Sequence, residues 1–598
     1  MSVKSIHRFS LLSTAMFLLS SPVLAEEIPG GVVENAMSAN TRAMMNSAQV
    51  AGFLPERGRF TFPAPYNTTG IRLTNASNCG GADCIRDVGY SYWRNMNNHV
   101  GSDNMFIFVG TDGGSGPALI QYNKVTDQVI DSGPVFPASS RYSAATGEGF
   151  YFSATMPTKL YVGAGSVIER FDVVSKEIQT IVDVNAHLGG SHVLWQSHSS
   201  DDDNVHSATV RNASSYEMLG CMVYQENISR FSYFPKKGDY DECQIDKSGK
   251  WLVIKENLDG MDGEDNRIIG LDTGEERVLL DRDGAGGHSD LGHGYMIARD
   301  NWSNEANAVK MWDFNSNPLT GVVVHANSDW NTDSPAHISH TNSRPDLPPE
   351  QQVSCGGSAS SRNGPGANEI VCFRLDGSRQ MLAVAPAMID LNSGKGDSYT
   401  RMPKGNLDVT GQYFIWTSNM GGTRRDAFLV KVPTHRLTGV QQELIQRLSV
   451  SGNELPNRFT MTKSGAPTTA VIQGGTYLNG TSFTESLTAP QVATIEAAVV
   501  PEVAHIGQPA QILLIVKNAT SDTFVSVDGA GEFVRLEENG NPVTFRDLAS
   551  LQSFNPITLH SDVVDERYRG FNEIYVGYRL YNGGEIYFNA EAINLKVN

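Results

Sequence analysis

The sequence predicts an all-β protein: a seven-bladed β-propeller followed by a C-terminal β-sandwich. A strand introduction, Asp-x-x-Gly-x-aromatic, begins at Asp246 and Asp408, and at Asp290 with His293 in place of the glycine. Short apolar runs separated by Gly, Asn, Asp and Ser fill the chain up to about residue 440, and the pattern changes at Val492. Units of this kind cannot bury their own faces, so we expect copies to pack side by side around an axis.

Seven apolar runs predict seven units, spaced by roughly 40–60 residues as four-stranded blades with long loops require. An irregular third unit, at 190–235, leaves six or eight units open. The runs, each predicted to be an inner strand, are Met105–Val109, Lys159–Val162, Val193–Trp195, Trp251–Ile254, Tyr295–Ala298, His337–His340 and Tyr413–Trp416.

The N-terminus has the pattern of a secretory signal. Lys4 and Arg8 precede an apolar run, and Ala25 ends a plausible cleavage site. No later apolar run is long enough to span a bilayer, so we expect a secreted or periplasmic protein without a transmembrane segment. The predicted organisation is signal peptide 1–25, N-terminal arm 26–60, β-propeller 61–440, linker 441–491 and immunoglobulin-like β-sandwich 492–598.

The net charge and the cysteines limit the partners and the covalent cross-links that we expect. The net charge is −19, and losing Lys4 and Arg8 with the signal makes it −21, which argues against a nucleic-acid partner. The 6 cysteines of an exported chain can form three disulfides. We expect the pairs Cys79–Cys84, Cys221–Cys243 and Cys355–Cys372, with metal binding as the alternative for the first pair.

Polar residues at equivalent places in the units point to an axial site. Gln244, His288 and Asn406 each lie two positions before the introductory Asp, and His337 takes that place in the sixth unit. Neutral imidazole binds Mn, Zn or Cu and can also transfer protons near neutral pH. The alternative is that each histidine satisfies backbone groups where two blades meet.

The candidate metal ligands are His288, His337, Gln244 and His340. His337 and His340 should point to opposite faces of a strand, unless a bend defeats the alternation. His198, near Trp195, is a further candidate for the axis, whereas His293 takes a turn position and is expected to be structural.

A second cluster predicts a cationic mouth. Tyr399 and Arg401 precede the strand of the seventh unit, and Arg424 follows it, with Arg344 and Arg362 as further members. Arginine binds carboxylates bidentately, and a nearby Tyr or His can move a proton α to a uronate carboxylate. The alternative is that these arginines pair with surface Asp residues.

Two acidic loops, Asp259–Asp265 and Asp201–Asp203, carry oxygen ligands of the kind Ca²⁺ takes, although neither has EF-hand spacing. Simple solvation of these carboxylates is the alternative.

The strand introductions IDKSGKWLVI and LDVTGQYFIW resemble the repeats of bacterial TolB-like propellers. A propeller of this kind with axial histidines resembles the oligogalacturonate lyase group. That resemblance implies a metal held by several His and a Gln, with Arg nearby for the uronate. It covers about residues 240–430 and matches the generic repeat, while the family's ligand motif has no residue-by-residue counterpart here.

These observations favour an exported propeller acting on acidic polysaccharide, as a metal-assisted lyase. His288, His337 and Gln244 would form the axial group, and Tyr399, Arg401 and Arg424 would engage the substrate. One alternative is a non-catalytic protein that binds a polysaccharide or cell-surface ligand. Another is a copper redox enzyme with an axial His site.

Overall fold

Antiparallel strands make up almost all the regular structure, described here from a computed structural model of the 598-residue chain. The α-helices of the described residues are short: Ser47–Ala51, Val184–Leu188 and His435–Thr438. The all-β prediction is therefore confirmed. The structure describes residues 28–598 apart from 36–41, 80–84, 99–103, 112–116, 137–149, 301–307, 327–336, 360–367, 394–400 and 439–448, and shorter gaps at 89, 125, 157, 262, 346, 451–452, 455–456, 459, 467, 479–481, 503–504, 519–522, 537–539, 553–554 and 582–583.

Up to residue 438, the described strands form seven antiparallel sheets, called sheets 1 to 7 here. Sheet 1 contains Ile85–Asp87, Met96–Asn97, Asn104–Thr111, Ala118–Asn123 and Gln128–Pro134. Sheet 2 contains Phe150–Phe152, Lys159–Ala164, Val167–Asp172 and Ile178–Asp183. Sheet 3 contains His192–Ser199, Val205–Asn212, Met218–Gln225 and Arg230–Pro235. Sheet 4 contains Asp239–Ile245, Trp251–Asn257, Asp265–Gly270 and Glu276–Leu279. Sheet 5 contains Gly286–Leu291, Tyr295–Asp300, Ala308–Asp313 and Val322–His325.

The N-terminal part of the chain completes the last two sheets. Sheet 6 contains His337–Ser339, Val353–Gly357, Glu369–Arg374, Met381–Pro386 and, at its edge, Val32–Glu34. Sheet 7 contains Gly405–Leu407, Tyr413–Ser418, Asp426–Lys431 and then Thr69–Arg72 and Gly58–Thr61. The segment predicted as an arm thus supplies edge strands to sheets built from distant residues.

The introductory Asp residues organise tight turns between first and second strands. Oδ1 of Asp246 accepts from the backbone N–H groups of Lys250 and Trp251, both at 2.9 Å. Gly249 has φ +71°, a left-handed conformation that glycine adopts without a steric penalty. In the imperfect copy Gly294, with φ +85°, takes this role one residue after His293.

This turn corrects one expectation. Four of the seven runs predicted as inner strands are the second strands of their sheets, since a hairpin separates each from the first strand, and the run at 105–109 lies on the third strand of sheet 1. Only the runs at 193–195 and 337–340 lie on first strands or directly after them.

Hydrogen bonds link each sheet to the next around the whole set, through the ends of the first strands and the segments next to them. Sheets 1 to 4 are linked in order by Phe152 N to Arg94 O at 3.0 Å, Ser153 Oγ to Asp203 Oδ2 at 2.6 Å and Asp201 N to Lys247 O at 2.9 Å. Sheet 5 is linked to sheet 4 by Gly294 N to Asp246 Oδ2 at 2.8 Å, and to sheet 6 by the 3.0 Å contact between Ser343 Oγ and His293 Nδ1. Sheet 7 is linked to sheet 6 by Leu407 N to Ser339 Oγ at 2.9 Å, and to sheet 1 by Asn98 Nδ2 to Asp408 Oδ2 at 2.7 Å. Sheet 7 is thereby linked back to sheet 1. Sheets that follow one another in this way, with apolar side chains packed between neighbours, form a β-propeller.

The described C-terminal residues form a two-stranded sheet, Ser449–Val450 with Asn453–Glu454, and two larger sheets that share one hydrophobic core. Buried apolar residues of both sheets form this core, including Ile472, Ile495, Ile512 and Val576. One sheet contains Asn457–Arg458, Val471–Leu478, Ser482–Thr484, Gln491–Val500 and Asn555–Val564. The other contains Thr460–Thr462, Ser486–Leu487, Ala510–Asn518, Thr523–Val527, Phe533–Arg535, Thr544–Leu548, Gly570–Leu580, Tyr587–Asn589 and Ile593–Val597. Strands at 457–487 thus belong to these sheets, although the sequence predicted a linker over 441–491.

Two predicted disulfides are confirmed. Cys221–Cys243 joins sheet 3 to sheet 4, and Cys355–Cys372 joins neighbouring strands of sheet 6. Cys84 and residues 1–25 lie outside the described residues. Within the described part of the chain, no helix has the length and apolar character needed to cross a membrane.

Candidate active site

His288 and His337 lie against each other although they come from different sheets. His288 is on the first strand of sheet 5, and His337 begins the first strand of sheet 6. Their rings are stacked, with centroids 5.3 Å apart and planes at 20°. His337 is 1% exposed, whereas His288 is only partly buried. A ligand arriving from solvent would therefore meet His288 first.

Tyr90 completes this group. Its ring centroid lies 5.7 Å from that of His288 and 5.5 Å from that of His337. The Lys404 ammonium lies 5.1 Å from the centroid of the Tyr90 ring, within cation–π distance. We call Tyr90, His288, His337 and Lys404 the histidine cluster.

Both imidazoles of the histidine cluster are held in the neutral form. The pKa of His288 is lowered to about 4, chiefly by burial, and the lowering by the nearby charges of Lys255, Lys404 and Arg299 outweighs the opposite effect of the Glu242 carboxylate. Burial likewise lowers the pKa of His337 far below its usual value. At neutral pH each ring therefore has a nitrogen lone pair able to take a proton.

A buried ion pair lies beside the histidine cluster. Nζ of Lys255 is 2.5 Å from Oε1 of Glu242, and the hydroxyl of Tyr92 donates to Oε2 at 3.1 Å. Burial alone would raise the pKa of Glu242, but the Lys255 ammonium holds it below its usual value. Both charges of this pair thus act on the imidazole of His288.

The segment 88–95, described at all residues but 89, contacts six of the seven sheets. It holds the aromatic run Tyr90–Trp93, whose members after Tyr90 are almost fully buried. The contacts are Asn406 Nδ2 to Val88 O at 3.2 Å in sheet 7, Tyr90 against His288 and His337 in sheets 5 and 6, Tyr92 to Glu242 in sheet 4, Trp93 against His198 at 4.7 Å in sheet 3, and Arg94 O from Phe152 N in sheet 2. Protein side chains therefore fill much of the axis.

His198 is one of the residues that this segment covers. It is 4% exposed and packs against the rings of Trp93, Tyr92 and Tyr151. Burial lowers its pKa to about 4. His198 thus lies near the axis, as the sequence suggested, but inside the aromatic packing.

The four predicted metal ligands do not form one coordination group. Nε2 of His340 is 2.6 Å from the Tyr295 hydroxyl and its Nδ1 is 2.9 Å from the Val353 carbonyl, so both ring nitrogens are hydrogen-bonded. The Gln244 amide donates to Glu242 at 3.1 Å and accepts from Ser289 at 3.3 Å. His340 faces away from His337, as strand alternation predicts.

His288 and His337 therefore remain as a pair of imidazoles. Zinc, copper and manganese sites in proteins have three or more ligands, and the described residues around the pair add no such set. The residues present do not fit the axial metal that the resemblance implied.

Two arginines predicted to form the cationic mouth, Arg424 and Arg401, bind other protein groups. Arg424 forms an ion pair with Asp426, which is fully buried and also binds Arg72 at 2.7 Å. Nε of Arg401 donates to the Leu391 carbonyl at 2.8 Å. Tyr399 and Arg362 lie outside the described residues. The cations that act on the histidine cluster are instead Lys404, Lys255 and Arg299.

One predicted acidic loop gathers carboxylates. Asp259 and Asp265 bring oxygens within 4.8 Å of one another and of Asp281, an arrangement that could hold a metal ion. In the other loop Asp201 pairs with Arg94, and Asp203 accepts from Ser153 at 2.6 Å, so these two carboxylates have protein partners.

Sequence reasoning missed Tyr90, Lys255 and Arg299. A run of aromatic residues within a polar connection, Tyr90-Ser-Tyr-Trp93, was the available signal for a buried segment. The two cations lie on second strands, where nothing in the local pattern marks them as neighbours of His288.

Comparison with known proteins finds solved structures of low similarity to this chain. No protein-family model matches the chain, and no curated protein matches it. An oligogalacturonate lyase in complex with manganese is 11% identical with a TM-score of 0.43, covering 68% of this chain and 98% of that protein. An oligogalacturonate lyase from Vibrio parahaemolyticus is 10% identical with a TM-score of 0.45, covering 68% and 99%. TolB from Acinetobacter baumannii is 12% identical with a TM-score of 0.29, covering 48% and 64%.

Structures that differ this much in sequence share a fold without sharing a function. The resemblance to TolB-like and oligogalacturonate-lyase-like propellers is thus one of fold, and the lyase activity and the manganese belong to those proteins.

Proposed function

We propose that this chain is an exported β-propeller enzyme that cleaves acidic polysaccharide by β-elimination at the histidine cluster. One observation carries the proposal: two neutral imidazoles lie among the cationic side chains of Lys404, Lys255 and Arg299 on a protein whose net charge is −19. A local positive field on an acidic protein favours an anionic ligand, and a neutral imidazole can accept a proton from it.

The proposed architecture is a seven-bladed propeller over residues 61–440 and a C-terminal β-sandwich. The seven sheets and the hydrogen bonds that lead from each to the next, and from sheet 7 back to sheet 1, support this blade count. The strand pairing supports a sandwich that begins near residue 457 rather than 492.

Binding of a uronate would make His288 a better base. A carboxylate near Lys404 and Arg299 offsets the positive charges that lower the His288 pKa, so that pKa moves up toward its usual value. His288 then takes the proton α to the carboxylate, and the C–O bond on the β carbon breaks. The leaving oxygen takes a proton from the Tyr90 hydroxyl, and a carbon–carbon double bond forms in the product.

Arg401 and Tyr399 remain proposed substrate contacts, because both precede Lys404 closely in the chain. No step passes through a metal. A cation is proposed only at Asp259, Asp265 and Asp281, in a structural role, and a Ca²⁺-dependent rise in thermal midpoint that Asp281→Ala removes would test it.

Export to the periplasm or the medium is part of the proposal. The disulfides Cys221–Cys243 and Cys355–Cys372 persist in oxidising compartments, and the N-terminal pattern is that of a secretory signal.

The test is an elimination assay on polygalacturonate and alginate, followed by the ultraviolet absorbance of the unsaturated product. We expect the wild type to form product and His288→Ala to be slower by roughly 100-fold or more, as expected for loss of a general base. Lys404→Ala should mainly raise KM. The matched control is His187→Ala, which removes an exposed histidine of the helix Val184–Leu188 that follows sheet 2, and it should keep full activity. A wild type without elimination products, or a fully active His288→Ala, would refute the proposal.

A second candidate function is non-catalytic binding of the same class of polymer. The burial of Tyr92, Trp93 and Arg94 at the axis favours it, because these side chains occupy space that an axial substrate would need. Binding of polyuronate that Lys404→Ala weakens, without any product, would support this candidate over the enzyme.

A further inference from the structure

A second group of functional side chains lies beyond the opposite end of the first strands. Ser343, His293 and Asp201 come from sheets 6, 5 and 3 and meet where their first strands turn. His293 follows His288 by five residues, across the end of a strand and its turn, so their Cα atoms are at most about 17 Å apart. The group shares no residue with the histidine cluster.

The group has the residue types of a nucleophile, a base and an acid, with one hydrogen bond and one longer ion-pair contact among them. Oγ of Ser343 is 3.0 Å from Nδ1 of His293, and Nε2 of His293 is 3.6 Å from Oδ2 of Asp201. The side chains of His293 and Asp201 are 14% and 22% exposed, so these two are partly accessible, whereas Ser343 is buried, with 7% of its surface exposed.

The neighbouring hydrogen bonds indicate where the protons lie. A carboxylate only accepts, so the Asp201 carboxylate, 3.6 Å from Nε2, favours the tautomer of neutral His293 that carries its proton on Nε2. Nδ1 is then the acceptor, and the Ser343 hydroxyl donates to it. This is the protonation pattern that prepares a serine for nucleophilic attack.

Surrounding residues hold the group in place. Arg94, 1% exposed, binds Oδ1 of Asp201 and leaves Oδ2 facing His293. The Tyr295 hydroxyl lies 3.2 Å from Ser343 Oγ. Because Nδ1–H of His340 donates to the Val353 carbonyl, Nε2 of His340 must accept the Tyr295 proton. Tyr295 therefore does not donate to Ser343, and its oxygen is a second acceptor, beside His293 Nδ1, for the Ser343 hydroxyl.

We propose that Ser343, His293 and Asp201 form an acyl-transfer site, with carboxylic esters as its substrate class. Ser343 Oγ attacks the ester carbonyl, its proton passes to Nδ1 of His293, and an O–C bond forms. Collapse of the tetrahedral intermediate breaks the ester C–O bond, and His293 returns the proton to the leaving alcohol. Water then attacks the acyl-serine by the same route, so that an acid is released and Ser343 is restored. Asp201 acts as the positioning residue for His293.

A comparable trio inside sheet 3 provides a matched control. Ser199 Oγ is 2.7 Å from Nδ1 of His206, and Nε2 of His206 is 2.7 Å from Glu226. Ser199 is 3% exposed and His206 is fully buried, and Glu226 also holds Arg170. Its shorter distances belong to a buried link within one sheet, so distance alone does not identify a reactive serine.

The experiment treats the full-length mature protein with a fluorophosphonate probe and locates the label by peptide mass spectrometry. We expect one label per chain on Ser343, loss of labelling in Ser343→Ala, and a labelling rate lower by roughly 100-fold or more in His293→Ala. Ser199→Ala should label like the wild type. Asp201→Asn should slow the labelling and shift its pH profile, because His293 faces Asp201, Asp246, Lys247 and Arg94.

The wild-type measurement decides the question even if a variant fails to fold. A wild type that takes no label, or takes it on a serine other than Ser343, overturns the proposal. Undiminished labelling in His293→Ala overturns it as well. Hydrolysis of p-nitrophenyl acetate that Ser343→Ala removes would give the same answer without the probe. None of these outcomes depends on the polysaccharide assay, so the two proposals fail separately.

Discussion

At the scale of single residues, burial controls the chemistry of the histidines. An imidazole without water around it loses the solvation of its charged form, so its neutral form is favoured. His198 and His288 both follow this rule, each with a pKa lowered to about 4, although only His288 is partly exposed. Burial therefore keeps both histidines neutral, but His198 serves in packing whereas His288 is a candidate base.

These shifts predict how stability depends on pH. A histidine whose pKa is lower in the folded than in the unfolded protein destabilises the fold when it is protonated. The stabilisation that comes from keeping it neutral is therefore complete above pH 6.5 and is lost as the pH falls toward 4. The size is of the order of 3 kcal/mol per imidazole. We expect the urea midpoint to fall between pH 6.5 and 4 in the wild type, and to fall less in His198→Gln.

The control for this measurement is His187→Gln, which removes an exposed imidazole. Its urea midpoint should follow that of the wild type at every pH. Parallel curves for the wild type and His198→Gln would show that His198 does not carry the effect.

At the scale of elements, the Asp turn does two tasks at once. One oxygen of Asp408 accepts from the backbone N–H groups of Gln412 and Tyr413, at 2.8 and 2.7 Å, and closes the hairpin. The other accepts from Asn98 at 2.7 Å and joins sheet 7 to sheet 1. A single buried carboxylate thus satisfies donors of two sheets.

Removing that carboxylate should be costly. In Asp408→Ala the buried donors of Gln412, Tyr413 and Asn98 lose their acceptor, and each such loss costs about 1–3 kcal/mol. We expect the free energy of unfolding of the propeller to fall by about 3 kcal/mol or more, measured by urea titration. Asp313→Ala, in an exposed turn where Asp313 caps Asn315 at 2.9 Å, should cost less than about 1 kcal/mol. Equal losses in the two variants would contradict the double role of Asp408.

The elements also show what the sequence could predict. The Asp-x-x-Gly-x-aromatic pattern is local, because the carboxylate binds backbone groups four and five residues ahead, so the repeat and its turns were predictable. His288 and His337 were found because they hold equivalent places relative to those turns. The ion pair of Arg424 could not be predicted in this way. Its partner Asp426 is buried in sheet 7 and also binds Arg72, which comes from a strand distant in the sequence. The position of Tyr90 depends on the path of segment 88–95 between six sheets, which no local pattern encodes.

At the scale of the whole molecule, the chain divides into two parts with separate cores. Among the described residues, the hydrophobic cluster of the C-terminal sheets contains residues 470–597 only, and the other clusters contain none beyond Leu437. Each part therefore buries its own apolar surface, which is the physical condition for independent folding.

The first part, the propeller, needs its N-terminal residues to complete two of its sheets. Thr69–Arg72 is the fourth strand of sheet 7 and pairs with Asp426–Lys431, so the two ends of the propeller sequence form one sheet. Arg42 adds a buried link, because it pairs with Glu34 and with Glu369, which is 1% exposed, in sheet 6. Loss of these N-terminal residues would leave sheet 7 without two of its strands and Glu369 without its cation.

Truncation tests this division. A chain of residues 26–440 should fold with a thermal midpoint within a few degrees of the same transition in the full-length protein, because it keeps every cluster of the first part. A chain of residues 73–598 should lose the propeller transition and keep that of the C-terminal sheets, because it retains residues 457–598 but lacks the strands that complete sheet 7. Calorimetry of the three chains compares the transitions directly. If residues 26–440 fail to fold, the two parts depend on each other, and the C-terminal sheets are then a structural component of the propeller and not a separate module.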